Sequence, residues 1–102
     1  MNANRWRGEV ALQLGGVAHV LRPSFSALVA AEDELGSLFA LIERASAGQL
    51  RLGELAGLFW HCLAERANLR REDFSEQVAQ AGLARCTEPF KALLVQVLKG
   101  GE

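Results

Sequence analysis

With 102 residues the chain has room for one hydrophobic core and not for two, so a single domain spanning 1–102 is expected. Half of the residues are hydrophobic and 23% are charged, a globular composition at its apolar end without repeats or low-complexity tracts. A net charge of −1 supplies no pull toward nucleic acid or an anionic membrane, so partners are to be met through shape and apolar surface.

The N-terminal stretch MNANRWRGEV contains no apolar run that reads as a secretory signal. No later segment approaches the ~20 apolar residues of a membrane span. A cytoplasmic location without membrane contact is expected. Cys62 and Cys86 fit it: each lies in helical sequence beside apolar residues, outside any CxxC pair, and is expected as a free buried thiol.

The stretch from Gly8 to Gly36 organises the chain, because a β-hairpin over about 8–22 runs through one proline into an amphipathic helix over about 24–35. Glu9 to Leu14 alternates polar or small residues with branched apolar ones, and Gly15-Gly16 can supply the positive φ angles of a two-residue turn. That turn sets Leu14 opposite Val17, Leu12 opposite His19 and Val10 opposite Leu21 on one face, with Glu9 facing Arg22 on the other. Two strands alone are marginal in water, so their apolar face needs helices laid across it. His19 reads as a partly buried ring.

Pro23 ends the second strand and Ser24 is placed to cap the first helix. Phe25, Leu28, Val29 and Leu35 fall on one side of it, and Gly36 is its stop. Glu32 lies in the middle of that apolar arc. An unpaired charge buried there costs several kcal/mol, so the carboxylate is expected as a structural acid, bound to the start of the next helix near Ser37 or to Arg22, or else as a partner-facing group.

A second helix over about 37–47, capped by Ser37, carries Leu38, Leu41, Ile42 and Ala45 on one face, with Gly48 as its stop. The third, over about 52–66, is the most apolar element. Leu52, Leu55, Ala56, Leu58, Phe59, Trp60, Cys62 and Leu63 cover about 200° of its circumference, the pattern of a central helix packed on two sides. Glu54, His61 and Glu65 mark its polar edge and read as a solvated face, without the spacing of a metal motif. A fourth helix over about 71–81 has a thin stripe of Phe74, Val78 and Ala81. Arg66, Arg70 and Arg71 lie beside acids there, as mixed-sign solvation and not a phosphate-binding stripe. Gly82 closes that helix. Thr87 is placed to cap a fifth, over about 87–99, with Pro89 in its first turn and Phe90, Leu93, Leu94, Val97 and Leu98 as its stripe. The fold class is α+β, a two-stranded antiparallel hairpin with about five helices packed on it, ending in a frayed tail at Gly100-Gly101-Glu102. No nucleophile and base pair, metal set or cofactor site is expected.

The opening NRWRGEVALQLGGVAHVLRPSFSALVAAEDELG resembles the start of the gene transfer agent family of small phage-tail proteins. The similarity lies in Arg7-Gly8-Glu9, Val10-Ala11-Leu12, the glycine turn, Leu21-Arg22-Pro23, Phe25, Leu28, Glu32, Leu35 and Gly36. The rest is similar more loosely, as helices of suitable length. Such proteins often carry a polar residue in the hairpin turn, where this chain has Gly15-Gly16.

The resemblance implies a non-enzymatic tail assembly chaperone. It would bind the long, largely helical tape-measure protein, keep it soluble, and yield to tube subunits as they polymerise. Apolar surface has to be available for that, and the arc of Phe59, Trp60 and Leu63 or the stripe of Leu94 and Leu98 is expected to supply it, with a homo-oligomer as a further possibility. The alternative is a minor structural protein retained in the assembled tail. A helical DNA-binding regulator is a weaker third reading, because the near-neutral charge and the acids beside Arg70 and Arg71 argue against it.

Overall fold

The computed structural model describes residues 8–99. Arg7 of the tail-family pattern and the frayed tail expected at 100–102 lie outside the described residues. Strands β1 (Val10–Leu14) and β2 (Val17–Leu21) form a two-stranded antiparallel sheet, followed by α1 (Phe25–Leu35), α2 (Leu38–Ser46), α3 (Leu52–Cys62), α4 (Arg71–Ala81) and α5 (Leu83–Lys99). The architecture is α+β, the hairpin and five helices that the sequence pattern predicts.

Gly15 and Gly16 take φ of 54° and 80° and close the hairpin. The register is the one such a turn dictates: Leu14 pairs with Val17, Leu12 with His19 and Val10 with Leu21. On the opposite face Glu9 accepts from Arg22 Nε at 2.8 Å. Val10, Leu12, Leu14 and Leu21 enter the core, whereas Val17 stands exposed beside the turn. His19 is partly buried, edge-on to Phe74 at 5.5 Å between ring centroids.

The predicted third helix runs four residues too far, to 66. It ends at Cys62 because the chain leaves the helix to pair with the outer edge of β2. Leu63 bridges Leu21, Arg22 N–H donates to the Cys62 carbonyl at 2.6 Å, and Ala64 N–H donates to the Val20 carbonyl at 2.9 Å. Backbone groups on a sheet edge need partners, and this pairing outweighs another turn of helix. α3 is nonetheless central, packed against α1, α4 and α5, with Leu55, Ala56, Gly57, Leu58, Phe59 and Cys62 buried.

The face of α1 also differs from the predicted arc. Ala31 is fully buried, with Ala27, Leu28 and Leu35 packed beside it, while Phe25 is 85% and Val29 40% exposed. Close approach to α3 explains the choice of small residues. A Cβ on Gly57 would stand 3.3 Å from Leu35 Cδ2, so this contact accepts little bulk. Glu32 consequently lies on the exposed side and not inside an apolar arc. Its carboxylate accepts the Leu38 N–H at 3.0 Å, satisfying one of the donors that a helix start leaves open. Ser24 and Ser37 cap α1 and α2 through the N–H groups of Ala27 and Ala40.

α5 starts at Leu83, directly after Gly82, and not at the predicted 87. Leu83, Ala84 and Arg85 are strong helix formers, and the turn they add buries Cys86. Thr87 therefore caps nothing; its hydroxyl donates to the Leu83 carbonyl one turn back, at 2.9 Å. Pro89 lies inside the helix instead of in its first turn. It has no N–H to donate to the Arg85 carbonyl four residues back.

Candidate docking groove

The five residues predicted to meet a partner do not form one surface. Phe59 is fully buried, edge-on to Phe90 at 6.3 Å, and Leu63 is 8% exposed, so both serve the core. Phe59 is buried by the central position of α3, which an apolar arc alone cannot distinguish from a docking face, and Leu63 by its bridge to Leu21 of β2. Trp60 is half-buried. Its ring leans on Phe74 at 5.9 Å, the Arg66 guanidinium lies 4.5 Å above its centroid, and Arg66 donates to the Trp60 carbonyl at 3.1 Å. Leu98 is exposed near the end of α5, and Leu94 is half-buried one turn before it.

Leu94 belongs to an open groove of about 340 Å³ between the end of α2, the start of α3 and one side of α5. Leu55, Cys86 and Phe90 form its buried floor, and Leu50, Leu83 and Leu94 its walls. Leu83 is 58% exposed. This wall exists because α5 begins a turn earlier than predicted, and for the same reason it escaped the sequence reading. Arg51, before α3, and Lys91, on α5, are the charged residues of the lining; no Asp or Glu belongs to it.

Several of the other polar residues are engaged with one another. Arg44 donates to Glu54 Oε1 at 2.6 Å, and the same oxygen accepts the Arg51 backbone N–H at 3.0 Å, closing the start of α3. The Glu54 carboxyl is held below its ordinary pKa, first by Arg44 and then by that backbone bond. His61 is not on a solvated edge: its Nε2 lies 2.7 Å from Glu34 Oε1, which Arg71 also reaches. Arg70 is paired with Glu72. Among the described residues no group of three or more His, Cys, Asp or Glu could hold a metal ion, and no helix is long and apolar enough to cross a membrane. Both cysteines are free and buried.

Residues 7–100 match the family described as "Phage tail tube protein, GTA-gp10". That span is nearly the whole chain, and the chain belongs to this family of phage and gene transfer agent tail proteins. No curated protein and no solved structure matches it.

Proposed function

We propose that this member of the GTA-gp10 tail family is a non-enzymatic tail assembly chaperone. It covers apolar helical segments of the tape-measure protein, keeps that protein soluble in the cytoplasm, and is displaced when the tube polymerises. The observation that carries this reading is the open apolar groove beside α5, walled by Leu83 and Leu94, with the exposed Leu98 one turn beyond Leu94. Exposed apolar surface of this kind is costly in water unless a partner covers it for part of the protein's life. A groove walled by helices suits an apolar helix more than a small polar substrate.

The family's description as a tail tube protein supports a second reading, a structural subunit retained in the tail tube. The two separate in one experiment. The chain is co-expressed with the tape-measure-like protein of its own tail locus, and finished particles are then purified. A chaperone renders the long protein soluble, co-purifies with it, and is absent from particles. A tube subunit leaves its solubility unchanged and is found in the particles in many copies.

A further inference from the structure

The charge around the groove specifies its occupant more closely than apolarity does. Among the described arginines, Arg22, Arg44, Arg70 and Arg71 are each held by a carboxylate. Arg51 and Lys91 are exposed, and neither side chain is in an ion pair among the described residues. Glu54, the acid nearest Arg51 in the chain, is already bound by Arg44 and by the Arg51 backbone N–H. Two cations outside any ion pair thus flank an apolar floor, Lys91 on α5 and Arg51 at the start of α3, where the Glu54 carboxylate that feels the Arg51 charge is already hydrogen-bonded by Arg44.

We infer that this groove binds an amphipathic helix of a partner protein, with the helix's apolar stripe on Leu55, Phe90 and Leu94 and its flanking carboxylates on Arg51 and Lys91. The inference rests on the docking role proposed above. A helix is required because the groove is walled mainly by helices, whose backbone groups are largely engaged; an extended segment would find no strand edge to pair with. A volume of about 340 Å³ accommodates anchoring side chains, not a whole segment, so the flanks of the partner helix remain at the rim beside the cations.

The test uses the full chain and two labelled synthetic helical peptides. Both carry leucines at i, i+3, i+4 and i+7; one has glutamates on its flanks and the other lysines. Fluorescence anisotropy at low salt is expected to show the acidic peptide binding about three- to tenfold more tightly, with the gap narrowing at high salt. Arg51→Glu/Lys91→Glu should invert the preference, and Leu94→Glu should abolish binding of both; circular dichroism checks that each variant is folded. Equal binding of the two peptides, no binding of either, or acidic-peptide binding that survives Leu94→Glu overturns the inference. So does a dimer in sedimentation that Leu94→Glu dissociates, since a second copy would then cover the groove.

Co-expression separates this inference from the chaperone reading. If Arg51→Glu/Lys91→Glu still keeps the tape-measure-like protein soluble, the chaperone reading stands and this assignment falls. If the acidic peptide binds as described but the long protein gains nothing from the chain, the assignment stands and the chaperone reading falls.

Discussion

Arg71, the first residue of α4, donates from Nη1 to Glu34 Oε1 at 2.8 Å, across 37 positions of sequence. The second carboxylate oxygen takes Arg71 Nη2, and His61 on α3 reaches Oε1 at 2.7 Å. One carboxylate near the end of α1 therefore ties three helices together. Gly57 lies against the same pair, since a Cβ there would stand 3.3 Å from Arg71 Nη2 and 3.5 Å from Glu34 Oε2.

Arg71, and secondly His61, hold the Glu34 carboxyl down to about 2 from an ordinary 4.5. A depressed folded-state pKa stabilises the fold above the unfolded value, and that contribution is lost as pH falls from about 4.5 through about 2. The side chain is 38% exposed, so solvent screening limits the effect. Glu34→Gln is expected to cost about 1 kcal/mol at pH 7. Urea denaturation from pH 7 to pH 2.5 should show the difference from the parent shrinking across that window; a constant difference would mean that the charge contributes nothing.

The hairpin and its register were legible because they depend on neighbours: alternation, two glycines and a proline. Helix caps at Ser24 and Ser37 were legible for the same reason. What sequence could not show was set by distant partners. The end of α3 is decided by the pairing of Leu63 and Ala64 with Leu21 and Val20 of β2, far earlier in the chain. The inward face of α1 is decided by its approach to Gly57, and Leu28 alone does not reveal that Ala31 outranks Phe25. The groove is the product of an early α5 start and three separate elements, so only Leu94 of its walls had been named from periodicity.

Gly8 has φ of 73°, and a Cβ there would come 2.8 Å from Gln96 Oε1 on α5. The Gln96 tip is flexible and can withdraw, so the backbone conformation dominates the cost. Gly8→Ala is expected to destabilise by roughly 1–2 kcal/mol. Gly15→Ala provides the comparison, because Gly15 also has positive φ, 54°, with nothing within 4 Å of the added carbon. Urea midpoints that fall much further for Gly8→Ala than for Gly15→Ala would show that the Gln96 contact matters as well.

Phe59 and Leu98 carry opposite expectations although both belong to apolar stripes. Phe59 is fully enclosed, and Phe59→Ala should cost about 3–5 kcal/mol, enough to unfold a marginal domain near its working temperature. Leu98 is 57% exposed, and Leu98→Ala should change stability by no more than about 0.5 kcal/mol. Thermal melts of the two variants check both. A large loss for Leu98→Ala would place that side chain in the core.

Burial pushes the Cys62 thiol up to about 12 and raises that of Cys86. At pH 8 only about one Cys62 in ten thousand is then a thiolate, and the sulfur is fully enclosed. A disulfide-exchange reagent such as DTNB should leave the native protein almost unlabelled at pH 8 and titrate both thiols in denaturant. The raised pKa also fixes the sign at alkaline pH. The unfolded thiol ionises near 9.0 while the folded Cys62 does not until about 12, so the fold loses stability as pH rises past 9.0. Cys86 lies on the groove floor, and opening of that floor would expose it first. Rapid native labelling of Cys86 with Cys62 still protected would locate the opening at the groove, whereas equal labelling of both would indicate global unfolding.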